Sequence, residues 1–133
     1  MTPHPPHPPT ETNSPLKSRG GLRRVWNAAT YSWAGLQAAW RHEAAFRQEL
    51  LIAVPALLAA PWLAPGRWQL AAMIGSVVLV LVVELLNSAI EALADALSVE
   101  RHPLLGRAKD LGSAAVMMCL VLTVAIWAIA LWP

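Results

Sequence analysis

The sequence predicts an all-α integral membrane protein, and three observations carry that reading. Of 133 residues, 56% are hydrophobic and only 14% charged, too apolar a balance for an ordinary soluble domain of this length. Three runs, Ala44 to Trp62, Trp68 to Val99 and Leu105 to Trp132, reach or nearly reach the about 20 residues needed to cross a hydrocarbon core about 30 Å thick. A fourth segment, Gly20 to Arg41, repeats apolar residues at helical spacing.

Residues 1–19 hold Pro3, Pro5, Pro6, Pro8, Pro9 and Pro15 among polar residues, a composition that favours extended, disordered chain. His4 and His7 read as part of a solvated tail rather than as metal ligands. No cleavable signal peptide is expected, because this stretch is polar where a signal needs an apolar core. Residues 20–133 then form one membrane domain.

In the amphipathic segment Leu22, Val25, Trp26, Ala29, Trp33, Leu36 and Trp40 share one face, with Arg23, Arg24, Asn27, Tyr31 and Arg41 off it. Tryptophans below and arginines above suit a helix lying in a headgroup layer. Packing on the body of the protein is the alternative, and the two are compatible. Pro61, Pro65 and Gly66 mark an outer turn, and His102, Pro103 and Gly106 an inner one. Pro55 falls inside the first span, where membrane helices tolerate it. Cys119, the sole cysteine, has no internal disulfide partner and reads as a small apolar side chain.

Lysine and arginine set the orientation, since positive loops stay cytoplasmic. Lys17, Arg19, Arg23, Arg24 and Arg41 precede the first span, the first loop holds only Arg67, and the second holds Arg101 and Arg107 with Lys109 just beyond. The N-terminus and second loop are therefore expected inside, and the C-terminus on the periplasmic side. Trp62, Trp68, Trp127 and Trp132 then form an aromatic belt at the outer interface. A net charge of +2, without interleaved basic and aromatic residues, argues against a nucleic-acid partner.

Counting inward from those tryptophans at about 1.5 Å per residue gives each polar group a depth. Glu84 stands about 24 Å above Trp68 and Glu91 about 34 Å; Lys109 and Asp110 stand about 33 to 35 Å above Trp132, and Glu43 about 28 Å above Trp62. Three helices thus bring ionisable groups to one interface. Glu84, Asn87, Ser88, Glu91 and Asp95 also share a helical face by their i, i+3, i+4, i+7, i+11 spacing. Carboxylates in a membrane normally face protein or a wet cavity and mark function. Interhelical hydrogen bonding is the rival account.

Glu43 and Glu91, at the water boundary, suit a shared Mg²⁺, which takes oxygen ligands and keeps water and phosphate. Lys109 suits phosphate oxygens. Glu84 lies deeper, where a poorly solvated carboxylate is the better acceptor for a hydroxyl proton. Neither a GxxxxGK[ST] loop nor a protein-kinase signature occurs. On these grounds alone, membrane enzyme, transporter and channel subunit all stay open.

Glu84 to Asp95, ELLNSAIEALAD, followed by GRAKDLGSAAV at Gly106 to Val116, resembles the prokaryotic diacylglycerol kinase family, as does YSWAGLQAAWRHEAAFRQE at Tyr31 to Glu49. The match runs in order from about Gly20 to the C-terminus. The resemblance implies a homotrimer in the inner membrane, with a surface helix and three membrane helices per subunit and active sites shared between subunits. It implies ATP-dependent phosphorylation of 1,2-diacylglycerol to phosphatidic acid, recycling diacylglycerol for phospholipid biosynthesis.

By motif, Glu43 and Glu91 look like the ligands of Mg²⁺ and ATP, and Glu84 like the proton acceptor, with Asn87 supporting the metal or phosphate geometry; Glu91 as base is the alternative. Arg24, Tyr31, Glu100, Arg101, His102, Lys109 and Asp110 look like nucleotide contacts, although the family commonly has tyrosine at the Arg101 position. Arg24, Ala29, Ser32, Trp33, Gln48, Glu84 and Ser113 look like lipid-substrate contacts, and Asp95 like support on the nucleotide side.

Plainer readings stand beside these. Glu43 with Arg47 has i, i+4 ion-pair spacing, Trp33 suits an interfacial anchor, and Gly112, Ser113, Ala114 and Ala115 suit close helix approach. An undecaprenol kinase of the same family is the nearest rival activity. A non-catalytic membrane subunit or ion-conducting oligomer is the rival from another class.

Overall fold

The computed structural model describes residues 21–97 and 102–132, apart from the side chain of Leu22. The predicted disordered tail at residues 1–19, with His4, His7, Lys17 and Arg19, lies outside the described residues, as do the predicted nucleotide contacts Glu100 and Arg101. Among the described residues there are four helices and no strand: α1 Gly21–His42, α2 Ala44–Leu63, α3 Arg67–Leu97 and α4 Pro103–Leu131. The last three are each long and apolar enough to cross a membrane, which makes the chain an all-α membrane protein.

The chain divides into two compact units, residues 1–35 and 36–133. Within the first, Val25, Trp26 and Trp33 of α1 are 68%, 72% and 62% exposed. Arg23 and Arg24 are exposed there too. The apolar face that the periodicity predicts has no cover inside its own unit.

In the second unit Glu43 leaves helical geometry, with φ −104° and ψ 112°, and so separates α1 from α2. Arg47 turns back to the break: its guanidinium donates to the carbonyls of Trp40 at 3.0 Å and Arg41 at 3.4 Å. A helix end leaves such carbonyls without partners, and a basic side chain there also favours the dipole. Among the described residues the one ion pair joins Lys109 and Asp95, so the pairing offered by Glu43 and Arg47 is not formed. Arg47 is spent on the cap, which leaves Glu43 available.

Pro61 belongs to α2 rather than to the outer turn where the sequence placed it, because the helix continues to Leu63 and closes with Ala64 N–H on Ala60 O at 2.9 Å. A proline near a helix end removes one bond without stopping the last turn. At the inner turn His102 precedes Pro103, the first residue of α4, where the missing N–H costs nothing.

The central helix is α3, which packs on α2 and α4. Its 31 residues span about 46 Å, well beyond a hydrocarbon core of about 30 Å. Met73, Val77, Val80, Glu84 and Asn87 are buried, Glu91 is half-buried and Ala94 is buried again. Their alternating spacing of four and three keeps one seam facing the neighbours. The seam is apolar up to Val80 and polar from Glu84.

The apolar end is tightly closed. Ala60, Met73 and Ala130 form a buried cluster against Leu70, Ile74 and Trp127. Two cross-helix bonds join α3 to α4 nearby, Thr123 Oγ1 to Ser76 O at 3.2 Å and Trp127 Nε1 to Met73 O at 3.2 Å. The four tryptophans of the expected outer belt differ here. Trp62, Trp68 and Trp132 are 82%, 87% and 80% exposed, whereas Trp127 is half-buried and spends its indole N–H on the neighbouring helix.

Two substitutions should separate packing from hydrogen bonding here. Met73→Ala opens a void where no surface is exposed and should cost about 2 kcal/mol or more. Trp127→Phe keeps an aromatic ring but removes one donor from the Met73 carbonyl, which the Ser76 hydroxyl still reaches at 2.9 Å, and should cost about 1 kcal/mol or less. Thermal melts in one detergent should place both below the parent and Met73→Ala lower.

Candidate active site

The site begins where the α3 seam turns polar. Glu84 is 3% exposed, and Asn87 and Ser88 are each 8% exposed; Glu91 is half-buried and Asp95 exposed. Asn87 Nδ2 donates to Glu91 Oε1 at 3.1 Å, and Asn87 stands one turn from Glu84 on the same helix. Asn87 therefore sits between a deep carboxylate and a shallow one. One helical face accounts for all three placements.

The start of α2 adds two carboxylates. Glu43, half-buried at the α1–α2 break, and Glu49, one and a half turns into the span, both lie within electrostatic reach of Glu84, as does Glu91. Glu49 Oε2 is buried without a hydrogen-bond partner. The sequence reading missed Glu49. Depth would have found it, since counting from Trp62 puts it about 20 Å up, close to the level of Glu84.

From α4, Lys109 Nζ lies 2.9 Å from Asp95 Oδ1 and within electrostatic reach of Glu91. The sequence reading left Lys109 free for phosphate and gave Asp95 a supporting place on the nucleotide side. They are partners here. Their side chains are 37% and 71% exposed, so the pair is held weakly and another anion can displace it.

Gly112, one turn further along α4, is buried against Asn87. Gln48, His102, Asp110 and Ser113, also predicted contacts, are exposed side chains of the second unit. Arg24, Ala29, Tyr31, Ser32 and Trp33 are exposed on the first unit.

Among the described residues no group of three His, Cys, Asp or Glu side chains is arranged to hold a metal. Mg²⁺ asks for less, binding through one or two carboxylates while water and phosphate fill the remaining positions. Glu43, Glu49 and Glu91 each lie within electrostatic reach of Glu84, and no described cation is paired to any of the four. Carboxylate oxygens are the donors a hard divalent cation takes, and Glu43 and Glu91 are half-buried within reach of the buried Glu84.

Below the carboxylates runs an apolar groove of about 490 Å³ between α2, α3 and α4. Glu49 stands in its lining, with Ile52, Val77, Val80, Thr123 and Leu131 among the others. Glu49 is the one carboxylate in a lining that is otherwise almost wholly apolar.

The family model for prokaryotic diacylglycerol kinase matches residues 30–131. A diacylglycerol kinase of Escherichia coli K12 is 50% identical over 112 residues, 84% of this chain and 92% of its own length. The chain is equally similar, at 50% over 115 residues, to a diacylglycerol kinase of Pseudomonas aeruginosa, covering 86% of this chain and 94% of that one. A diacylglycerol kinase of Helicobacter pylori is 39% identical over 113 residues, 85% of this chain and 88% of its own. The match spans the α2 carboxylates, the polar half of α3 and the Lys109 turn, and on it the chain belongs to the prokaryotic diacylglycerol kinase family, a family of membrane lipid kinases.

Proposed function

We propose that the chain transfers the γ-phosphoryl group of ATP to the free hydroxyl of 1,2-diacylglycerol, giving phosphatidic acid and ADP at the cytoplasmic face of the inner membrane. The observation that carries this reading is the stacking of Glu84 and Glu91 on one face of α3, seven residues or about 10 Å apart. Glu84 is buried one turn beyond Val80 of the groove lining, and Glu91 two turns further on is half-buried. A lipid alcohol and a soluble phosphate donor approach from those two sides.

In this reading the glycerol hydroxyl is held at Glu84, which takes its proton as the oxygen attacks the γ-phosphorus and the bond to ADP breaks. Glu43 and Glu91 hold Mg²⁺, which when bound neutralises phosphate charge. Asn87 fixes one oxygen of Glu91. Lys109 exchanges Asp95 for a phosphate oxygen, a small loss because the pair is exposed. Phosphoryl transfer gains mainly from such positioning and electrostatics.

Arg24, Tyr31, Glu100, Arg101, His102 and Asp110 complete the nucleotide contacts, and Ala29, Ser32, Trp33, Gln48 and Ser113 the lipid contacts. The active unit is a homotrimer. Many large apolar side chains of the spans are exposed, among them Ile52 at 74% and Ile129 at 76%, leaving ample surface for both lipid and partner subunits. The N-terminus and second loop are cytoplasmic and the C-terminus periplasmic. Undecaprenol is the rival lipid, and the names of the relatives favour diacylglycerol.

Purified protein in mixed micelles should phosphorylate diacylglycerol with Mg-ATP and undecaprenol poorly or not at all. Phosphorylation of neither lipid would overturn the proposal, and preference for undecaprenol would reassign the substrate. Glu84→Gln should lower kcat by about 10²- to 10⁴-fold while the apparent affinity for Mg-ATP changes little. Glu91→Gln should instead raise KM for Mg-ATP, and equal affinity losses in both variants would show the division between the two carboxylates to be wrong.

A further inference from the structure

Gly112 lies on α4 where Asn87 of α3 comes nearest, and a Cβ built there overlaps Asn87 Oδ1 and falls 3.3 Å from its Cγ. The same Cβ is 3.7 Å from the Asn87 Cα, an ordinary van der Waals distance. The backbones can therefore accept a methyl group between them. The Asn87 amide cannot, in the orientation it holds.

That orientation is fixed from the other side. Nδ2 donates to Glu91 Oε1 at 3.1 Å, and turning the amide over would set two oxygens against each other. The carbonyl end is thus directed at α4, where Oδ1 is buried with no hydrogen-bond donor. A buried acceptor without a donor is unfavourable, so the amide keeps this pose only because Glu91 holds one end and the missing side chain at residue 112 leaves room for the other.

We infer that Gly112 is a positioning residue for the kinase reaction, acting through Asn87 to hold Glu91 in its working orientation. The inference rests on the proposed role of Glu91 in holding Mg-ATP. It goes beyond close helix packing, because it assigns the glycine to one side chain and one step.

The test is a double-mutant cycle on the full-length protein in micelles, with Gly112→Ala, Asn87→Ala and the double variant beside Glu91→Gln. Gly112→Ala should raise KM for Mg-ATP about tenfold, the scale of one hydrogen bond to a charged group, with little change in KM for diacylglycerol and a melting temperature within a few degrees of the parent. Asn87→Ala should do the same, and the double variant should be no worse than Asn87→Ala, because the glycine acts only through that side chain.

An unchanged KM for Mg-ATP in Gly112→Ala, or additive effects in the double variant, overturns the inference. If Gly112→Ala fails to fold and Asn87→Ala restores it, the clash with the amide stands; if Asn87→Ala does not restore it, the glycine serves backbone approach and the inference fails. Glu91→Gln keeps the two claims apart. If it leaves Mg-ATP affinity unchanged, the reading of Glu91 fails; if it weakens affinity while Gly112→Ala does not, only the inference fails.

Discussion

The second unit depends on one seam along α3, in which Met73, Val77, Val80, Glu84, Asn87, Glu91 and Ala94 recur at alternating steps of four and three residues. Such a seam keeps facing its neighbours over the full length of a long helix, so whatever chemistry it carries is presented to α2 and α4. Up to Val80 it carries packing. From Glu84 it carries ionisable groups, and no change of fold is needed to move from one task to the other.

This arrangement separates stability from chemistry along a single axis. Lipid tails are as apolar as leucine, so association of membrane helices relies on close contact and interhelical hydrogen bonds. Both are concentrated at the apolar end, in the Ala60, Met73 and Ala130 cluster and in the bonds from Thr123 and Trp127. The polar end lacks that closure. It holds buried atoms without partners, Glu49 Oε2, Asn87 Oδ1 and Ser88 Oγ, which a packed core would not keep. A rigid end supporting an unsatisfied one is how a site can be held in place while it waits for ligands.

Most of the fold was legible in the sequence because length and apolarity settle a membrane helix almost alone. The stripe from Glu84 to Asp95 was legible too, since helical spacing puts its members on one face whatever the neighbours do. Contacts between helices were not. Nothing in the spacing says that Arg47 prefers the carbonyls of Trp40 and Arg41 to the Glu43 carboxylate, that Lys109 meets Asp95 across the inner turn, or that Trp127 turns inward while Trp132 does not. Glu49 is readable by depth, at about 20 Å from Trp62, but it stands on a different helix from the stripe and shares no spacing with it. The small residues near Gly112 announced a close approach without saying that Asn87 would occupy the space.

Charge gives the last constraint on what the polar end can be. Three carboxylates, Glu43, Glu49 and Glu91, lie within electrostatic reach of a fourth, Glu84, and the lysine within reach of Glu91 is paired with Asp95. If this were glue between helices, the simplest arrangement would neutralise each acid with a basic or amide partner, as buried ions require. Asn87 does so for one oxygen of Glu91, and Arg47, close enough in sequence to serve Glu43, serves backbone carbonyls instead. Negative charge is thus left over where α3 meets water. Surplus carboxylates repel a bare phosphate, so under the proposed reaction the phosphate donor has to come with a cation. The lysine that could draw phosphate directly is held by an exposed and easily exchanged partner, a charge distribution that suits the metal-borne phosphate donor of the proposed reaction better than a bare anion.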